Sequence, residues 1–376
     1  MNRHLLVATI AGLTPWIAAA QNVRVVVSFH GAPDASAITA AGGEVVVEAG
    51  PHSVAANVPP GQVGKIAAQA GVASVESDPV ISASAATAPQ PAQVTPWGIS
   101  RVGADASWGV SKGAGVKVAI VDTGILDTHS DFKNAGGVSR VTLGRTYVNG
   151  TKSAKDDNGH GTHCAGIAGA SNNGIGVVGV APECSLLAVK VLDRNGSGYL
   201  TAVAAGIRWA ADNGAKVISL SLGGSSDTLA GDLQSAVTYA AGKGVVLCAA
   251  AGNEGDQVPQ PASYPAMCPE TIAVAATDVN NAVPVWSSKG AYVDIAAPGV
   301  AVTSTYKDGY YVTWSGTSMA TPHVAGAAAL LIANGNSAAA TRTKLESTAD
   351  DINAVGEDDA TGSGLLDVDE AIVTTP

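Results

Sequence analysis

Short apolar strands alternate with helices from residue 96 onward, and this pattern constrains the fold more than any other feature of the chain. The strand candidates, which contain few polar residues, are 116–121, 186–191, 217–220, 245–249 and 271–275. The helix candidates are 160–170, 201–211, 229–241 and 318–333. Strands that are apolar on both faces and alternate with helices indicate a parallel sheet covered on both sides. The predicted fold class is therefore α/β, with three layers and a parallel central sheet.

A smaller unit precedes this pattern. Its predicted strands are 23–29, 44–48, 53–58 and 72–77, and its short helices lie near 35–41 and 62–70. This βαββαβ order is typical of small α+β ferredoxin-like domains. Residues 84–95 have no periodicity, which predicts an exposed linker open to proteolysis. We therefore predict a small domain over 21–83, a linker with a cleavage site over 84–95, and a large domain over 96–376.

The first twenty residues have the layout of a secretory signal. The charged start M-N-R-H is followed by an apolar stretch over 5–17 and by three alanines that end at Ala20. A buried N-terminal helix is the alternative, but the apolar run is too short to span a bilayer and a strand pattern follows at once. We predict a signal peptide over 1–20 and a secreted, extracellular mature protein.

Composition and charge exclude several kinds of partner. Hydrophobic residues make up 46% of the chain and charged residues 14%, a balance typical of a packed globular protein. The 31 acidic residues outnumber the 20 Lys and Arg residues, and no basic run occurs. Nucleic acid and anionic membranes are therefore poor candidate partners, and we expect a monomer. The four cysteines permit disulfide bonds, and Cys248 with Cys268, which flank one loop, is the favoured pair.

Three glycine-flanked stretches each supply one group of a nucleophilic catalytic set. They are D-T-G at 122–124, N-G-H-G-T-H-C-A-G at 158–166 and G-T-S-M-A-T-P-H-V-A-G at 316–326. A serine hydroxyl becomes nucleophilic when an imidazole takes its proton, and a buried carboxylate fixes the tautomer of that imidazole. Each residue alone has a commoner structural interpretation, such as a helix cap or a turn. Together, Asp122, His160 and Ser318 predict a catalytic triad.

These stretches resemble the Asp, His and Ser blocks of the subtilisin-like serine protease family, and the similarity extends over 92–370. The chain order Asp, His, Ser is that of subtilisin and differs from the orders of chymotrypsin and the α/β-hydrolases. The resemblance implies a subtilisin-like fold and a serine endopeptidase that works through an acyl-enzyme. It also implies that 21–83 is an inhibitory propeptide, which assists folding and is then removed by the enzyme itself.

The resemblance implies further site residues. In the family, the Asn of the block A-A-A-G-N-E-G and the backbone N–H of the nucleophile bind the oxyanion, and here these are Asn253 and Ser318. Asn253 as a plain turn residue is the alternative. Protein and peptide substrates should add as a strand between two segments. The residues implied for substrate binding are Gly196, Ser197, Gly198, Ser221, Leu222, Gly223, Ala250, Gly252, Glu254 and Ser263.

The walls of the primary pocket suggest its specificity. Ala250 and Gly252 are small, which favours large apolar side chains before the cleaved bond, and Glu254 is expected at the rim. Tight turns are the alternative interpretation of these small residues.

The family's structural calcium site is matched as well. Ca²⁺ takes oxygen ligands, and the ligands implied here are Gln93, Asp131 and Asn173 with the carbonyls of Ile175 and Val177. A second, weaker cation site is possible near Ala266, Cys268 and Asp294.

Other metal-ligating residues have simpler interpretations. His160 and His163 lie one helical turn apart, but no H-E-x-x-H motif supports zinc, so we interpret His163 and His323 as structural. Cys164 resembles the free cysteine of proteinase K-like members and is equally well explained by core packing.

Two rival functions remain open at this point. A secreted esterase or lipase of the α/β-hydrolase class uses the same residue types, but it needs G-x-S-x-G where the chain has G-T-S-M-A. An inactivated homologue that binds peptides without cutting them is the non-enzymatic rival. The presence of all four catalytic groups argues against it.

Overall fold

The structure is a computed structural model that describes residues 22–78, 90–224, 230–261 and 263–373. The predicted signal peptide over 1–20 and residues 84–89 of the predicted linker lie outside the described residues. The chain divides into two compact units, Met1–Ala88 and Pro89–Pro376.

The first unit has the predicted βαββαβ order. Its elements are β1 (Val23–Phe29), α1 (Ala35–Thr39), β2 (Glu44–Gly50), β3 (Ser53–Val58), α2 (Val63–Ala67) and β4 (Val72–Ser77). Within its described residues the strands form an antiparallel sheet in the order β2-β3-β1-β4. Alternate β1 residues Val25 and Val27 are buried against Ile38 of α1 and Ile66 of α2, because successive side chains of a strand point to opposite faces.

The second unit contains the larger sheet. Its strands are β5 (Lys117–Asp122), β6 (Val141–Thr146), β7 (Ser185–Lys190), β8 (Val217–Leu220), β9 (Val246–Ala250), β10 (Thr271–Thr277), β11 (Ile295–Pro298), β12 (Val302–Thr305) and β13 (Tyr311–Trp314). Its helices are α3 (Trp97–Arg101), α4 (Ala104–Ser107), α5 (His160–Gly169), α6 (Leu200–Asp212), α7 (Ala230–Gly242), α8 (Thr317–Ala333), α9 (Ala338–Ser347) and α10 (Val368–Val373). Among the described residues, seven strands form a sheet in the order β11-β10-β9-β8-β5-β7-β6, and β12 pairs with β13 separately.

Every pairing within the large sheet is parallel, as the sequence pattern predicts. Val118 and Ile120 of β5 pack in the same cluster as residues of α5 and α8. Ala119 and Val121 of the same strand pack in the cluster that holds residues of α6 and α7. Opposite faces of one strand are thus covered by different helices, and the three-layer α/β fold is confirmed.

Candidate catalytic and substrate-binding residues gather at one edge of this sheet. Asp122 ends β5, Ser221 follows β8 one residue after its end, and Asn253 follows β9. β5 pairs with β8, and β8 with β9, all in parallel, so these residues lie beyond the carboxyl ends of neighbouring strands. Open parallel sheets bind their ligands at this edge.

The four cysteines are buried and free, so the predicted pairing of Cys248 with Cys268 is wrong. Cys248 packs in the cluster on the α5 and α8 side of the sheet, whereas Cys268 packs in the cluster on the α6 and α7 side. Proximity to one loop in sequence therefore did not bring the two thiols together.

Among the described residues, no helix combines the length and the apolar character that crossing a membrane requires.

Candidate active site

Asp122 and His160 form a direct pair. The Nδ1 atom of His160 lies 2.8 Å from Oδ1 and 2.9 Å from Oδ2 of Asp122, whose side chain is fully buried. A carboxylate only accepts hydrogen bonds, so Nδ1 carries the proton and Nε2 is the basic nitrogen of the neutral ring. Burial lowers the pKa of His160, but the Asp122 carboxylate outweighs it and holds that pKa well above its ordinary value.

Glycines on either side of His160 make this geometry possible. Gly159 caps helix α5 with φ +117°, a backbone conformation that L residues with side chains rarely adopt. A Cβ atom on Gly161 would collide with the carbonyl oxygen of Gly124, in the turn after Asp122. The motif G-H-G therefore lets α5 begin directly against the Asp122 turn.

Ser318 is the second residue of α8, and its carbonyl oxygen is released by a proline. Pro322 lies inside the helix four residues later and has no N–H to donate to that oxygen. The oxygen accepts instead from Oγ of Ser221 at 2.8 Å and from Sγ of Cys164 at 3.5 Å. Ser318 in turn donates its own hydroxyl to the Ser221 carbonyl, 3.2 Å away. The candidate nucleophile is thereby tied to the residue after β8 and to helix α5.

Cys164 contacts both the candidate base, His160, and the candidate nucleophile, Ser318. Its Sγ atom lies 4.0 Å from Nδ1 of His160, besides the contact with Ser318. Cys164 is fully buried, and burial raises the pKa of its thiol. The residue is a neutral packing group at this place, which agrees with the core-packing interpretation.

Asn253 lies in the turn after β9 with its carboxamide held at one end. Its Oδ1 accepts hydrogen bonds from the backbone N–H of Thr317 at 2.9 Å and from the Thr317 hydroxyl at 3.1 Å. These two bonds fix the Oδ1 end of the carboxamide, and Asn253 lines the same cavity as Ser318. Thr317 was not predicted from the sequence as an orienting residue, although it adjoins Ser318 in the same motif.

Two cavities meet at these residues. One, of about 310 Å³, is lined by Ala250, Gly252, Asn253, Glu254 and Ser263 beside Ser318. The other, of about 550 Å³, is lined by Gly196, Ser197, Gly198, Ser221, Leu222 and Gly223 beside His160. The structure thus brings the residues that were predicted to bind substrate to two neighbouring cavities.

Glu254 lines the smaller cavity, and its carboxylate bonds to the backbone of Asn253, the residue before it. Its Oε2 accepts from the backbone N–H of Asn253 at 2.8 Å. Gly252, on the same wall, has φ +117°, a backbone conformation that residues with side chains rarely adopt, and a Cβ atom there would approach Ser288 Oγ to 2.7 Å.

The residues implied for calcium lie together at a separate place. Gln93 Oε1 accepts from the backbone N–H groups of Asn173 and Gly174, both at 2.9 Å. Asp131 is fully buried, and its carboxylate faces the Asn173 amide at 3.4 Å and the Val177 N–H at 3.0 Å. Isolated bridges join Ile175 to Ala92 and Val177 to Val94.

Carboxylate and amide groups are of the kinds that a hard cation takes as ligands. Burial raises the pKa of Asp131 to about 6 because it disfavours the charged carboxylate. A cation bound beside the carboxylate would stabilise its charged form and lower this pKa. The amide oxygen of Gln93 accepts two backbone N–H bonds, and the amide oxygen of Asn173 accepts from the Ile175 N–H at 3.1 Å. The Asn173 nitrogen, rather than its oxygen, faces Asp131 in this structure.

Ala266, Cys268 and Asp294, near which a weaker cation site is expected, each contact another protein group. Arg342 Nη2 pairs with Asp294 at 2.7 Å. The Thr271 hydroxyl donates to the carbonyl oxygens of Ala266 at 3.0 Å and Cys268 at 2.7 Å. The Arg342 guanidinium is thus the positive partner of Asp294 in this structure, and the weaker cation site stays a prediction.

His163 and His323 are structural, as interpreted from the sequence. Nε2 of His163 contacts the Val312 carbonyl at 3.0 Å, and Nδ1 of His323 contacts the Met319 carbonyl at 2.9 Å. Burial lowers the pKa of each to about 4, so both rings are neutral near pH 7.

Two charged residues that were not predicted from the sequence, Lys190 and Asp156, form hydrogen bonds to residues next to Asp122 and His160. Lys190 ends β7 fully buried, and its Nζ donates to the Thr123 carbonyl at 2.7 Å, the Leu192 carbonyl at 2.9 Å and Asp157 at 2.5 Å. Asp156 accepts from the side chains of Thr123 and Thr162. The only signal in the sequence was the position of Asp156 in D-D-N-G-H, just before the candidate base.

The comparisons with known proteins agree with this geometry. Residues 113–364 match the model of the subtilase family. Thermitase of Thermoactinomyces vulgaris is 49% identical over 261 residues, which cover 69% of this chain and 90% of thermitase. Subtilisin Savinase of Lederbergia lenta is 47% identical over 283 residues, or 74% of this chain and 99% of the relative. Subtilisin DY of Bacillus licheniformis is 45% identical over 284 residues, again 74% of this chain and 99% of the relative.

Proposed function

The chain belongs to the subtilase family and is a subtilisin-like serine endopeptidase, and on this premise we propose that it is a secreted, self-processing enzyme of broad specificity. Asp122, His160 and Ser318 form its catalytic triad. The observation that carries this assignment is the contact of His160 Nδ1 with both Asp122 oxygens at 2.8 and 2.9 Å, which leaves Nε2 as the base. The esterase and non-catalytic rivals have no comparable support.

The catalytic cycle follows from these groups. His160 takes the hydroxyl proton of Ser318 as Oγ attacks the peptide carbonyl carbon, and the Asp122 carboxylate stabilises the resulting imidazolium. The imidazolium then gives its proton to the departing amine, which leaves an acyl group on Ser318. Water activated by His160 releases the acyl group in the second half of the cycle.

The oxyanion of each tetrahedral intermediate is stabilised by the Asn253 side-chain amide and the backbone N–H of Ser318. Preorganised donors are effective because they need no rearrangement when the charge develops. The two hydrogen bonds from Thr317 to Asn253 Oδ1 supply this preorganisation.

Substrate specificity is assigned to the two cavities. An extended peptide pairs with the segments 196–199 and 221–223, since main-chain hydrogen bonds give affinity and pockets select side chains. The cavity of about 310 Å³ holds the side chain before the cleaved bond and favours large apolar residues. Glu254 at its wall adds a preference for positive over negative side chains.

Maturation is assigned to the first unit and the segment after it. Residues 21–83 act as a propeptide that inhibits the enzyme, 84–95 contains the cleavage site, and 1–20 directs export. The ferredoxin-like order of β1 to β4 with α1 and α2 supports a unit that folds around its own core.

Calcium is assigned to Gln93, Asp131, Asn173, Ile175 and Val177. When bound, Ca²⁺ would neutralise the buried carboxylate of Asp131 and bind the other oxygens, and it takes no part in peptide hydrolysis. The mature N-terminal segment around Gln93 is already fastened to the loop at Asn173 by hydrogen bonds.

Processing of a nucleophile variant tests the proposal as a whole. Ser318→Ala, expressed in a protease-free host, should lose casein hydrolysis and keep the propeptide attached, which N-terminal sequencing would reveal. Normal processing of this purified variant would rule out self-cleavage, and normal casein hydrolysis would rule out the triad.

A further inference from the structure

Asp156 lies at the centre of a network that joins the two halves of the catalytic pair. Its Oδ1 accepts from the Thr123 hydroxyl and from the backbone N–H groups of Asn158 and Gly159, each at 2.9 Å. Its Oδ2 accepts from the Thr162 N–H at 3.0 Å and from the Thr162 hydroxyl at 2.6 Å. The residue is 7% exposed. One buried carboxylate therefore serves five donors.

These donors come from the backbone on both sides of His160 and from the residue after Asp122. Gly159 immediately precedes His160, and Thr162 follows it by two residues, so Asp156 holds the chain on either side of the imidazole. Thr123 follows Asp122 directly, and its hydroxyl also accepts from the Gly161 N–H at 2.9 Å.

The network has a second link to the Asp122 turn. The Thr162 hydroxyl donates to Asp156 and accepts from the backbone N–H of Leu126 at 3.0 Å. Lys190 pairs with the neighbouring Asp157 and fixes the Thr123 carbonyl, so it leaves the Asp156 carboxylate to the five neutral donors. The start of α5 and the turn after β5 are thus connected through one side chain.

We propose that Asp156 is a positioning residue that sets the His160 imidazole against the Asp122 carboxylate. This inference rests on the proposed catalytic roles of His160 and Asp122. Helix capping alone would require only the bonds to Gly159 and Thr162. The bond to Thr123 and the shared Thr162 hydroxyl add a constraint across the two elements, and displacements of about 1 Å at remote positions can cost about 100-fold in rate.

Asp156→Asn is the most direct change. An amide has one acceptor oxygen and one NH₂ group, so it must turn a donor toward at least two of the present donors. We expect kcat on a peptide anilide, per active site titrated with a serine-directed reagent, to fall about 10- to 100-fold while KM changes less than about twofold. Thr123→Val and Thr162→Val each remove one hydroxyl, which should lower kcat about fivefold, and they provide milder variants if Asp156→Asn folds poorly.

Asp358 offers a matched control. Its carboxylate also accepts from backbone N–H groups, those of Ala354, Ala360 and Thr361, and from a threonine hydroxyl, that of Thr361. Asp358→Asn should therefore reproduce a loss of thermal stability without the loss of kcat. Equal kcat losses in the two variants would overturn the positioning role.

The proton of the His160–Asp122 hydrogen bond gives an NMR signal that reports the geometry of the pair. If Asp156 only stabilised the fold, changing it would leave this signal unchanged. This downfield proton resonance should shift or broaden in Asp156→Asn and Thr162→Val and stay unchanged in Asp358→Asn. An unchanged resonance in Asp156→Asn would overturn the proposal.

A double-mutant cycle separates this inference from the triad assignment. In an Asp122→Asn background, Asp156→Asn should lower kcat less than about threefold further, because the pair it positions is already disrupted. If Asp156→Asn lowered kcat by the same factor in the Asp122→Asn background as in the wild type, the positioning role would be contradicted. Wild-type kcat in Asp122→Asn itself would instead overturn the triad roles and the inference with them.

Discussion

The Oδ1 atom of Asn253 accepts two hydrogen bonds from Thr317, one from its backbone N–H at 2.9 Å and one from its hydroxyl at 3.1 Å. Thr317 adjoins the proposed nucleophile Ser318 in α8, so the helix that carries the proposed nucleophile also orients the proposed oxyanion donor. Asn253 and Ser318 line the same cavity.

Asn253→Ala should lower kcat by about 10²- to 10³-fold with little change in KM, because the oxyanion exists only in the intermediates and the transition states around them. This magnitude is the one known for loss of the oxyanion donor in subtilisin itself. Steady-state kinetics on a peptide anilide would measure it. A raised KM with unchanged kcat would contradict the assignment.

Changes at Thr317 should have smaller effects on kcat than Asn253→Ala, because they alter only the groups that orient Asn253. Thr317→Val removes the hydroxyl bond and keeps the backbone bond, so kcat should fall about fivefold, the effect of one hydrogen bond. Thr317→Ser keeps the hydroxyl and should retain most of the rate.

Glu254 should bias the choice of side chain before the cleaved bond. Two unit charges about 5 Å apart interact by roughly 1 to 3 kcal/mol between the dielectrics of water and a protein surface, or about 5- to 100-fold in kcat/KM. A peptide with Lys at this position should be cut faster than one with Glu, and both slower than peptides with Phe or Leu.

Glu254→Gln tests this preference while keeping an acceptor oxygen for the Asn253 N–H. The Lys over Glu ratio of kcat/KM, measured on peptides that differ only at that residue, should narrow in the variant and in high salt. A ratio that stays the same in Glu254→Gln would show that another charge sets the preference.

Chelation of calcium should lower the melting temperature and speed autolysis. A ligand that binds only the native state stabilises it by mass action, and the buried Asp131 carboxylate, which contacts the neutral donors of Asn173 and Val177, is the charged group that a bound cation would neutralise. Melting curves of the Ser318→Ala protein with excess chelator and with added Ca²⁺ would measure the effect without autolysis. Asp131→Asn should abolish the difference between the two curves, and identical curves for metal-free and Ca²⁺-loaded protein would exclude a stabilising site.

The buried histidines predict a loss of stability in acid. The pKa of His163 and of His323 is about 4 in the folded protein, below the usual value of about 6.5 for an unfolded chain. The unfolded state therefore binds more protons in this range, so stability is full above pH 6.5 and falls as the pH drops toward 4. Each histidine should contribute up to about 1.4 kcal/mol per pH unit.

Urea denaturation of the Ser318→Ala protein between pH 6.5 and 4 would measure this slope. His323→Met removes one titrating group and should reduce the slope by up to one proton, whatever its effect on stability at pH 7. The same slope in the variant would show that His323 is not the group that takes up the proton.

The sequence predicted the parts of the fold that depend on local pattern. The central strands β5, β7, β8, β9 and β10 are continuous apolar runs, and the structure has each within two residues of its predicted ends. The strands β6 and β11 were missed, because V-T-L-G-R-T is mixed in polarity and I-A-A-P is short and ends in proline. Their positions depend on pairing with β7 and β10, which no local pattern reveals.

The same distinction holds for the site. Asp122, His160 and Ser318 lie in motifs whose glycines are required by close backbone approach, so chemistry and spacing identified them together. Asp156 and Thr317 act through hydrogen bonds to residues that are distant in sequence or in another element. The pairing of Cys248 with Cys268 was wrong because the two cysteines pack in different clusters of the core.

Covalent trapping of the nucleophile tests the central claim most directly. A serine-directed phosphonyl fluoride should label the processed enzyme once per chain, and peptide mapping by mass spectrometry should place the label on Ser318. Labelling should become far slower in His160→Ala from which a second protease has removed the propeptide, since the hydroxyl then has no base. Full inactivation with the label on a different serine, and Ser318 unmodified, would contradict the proposed mechanism.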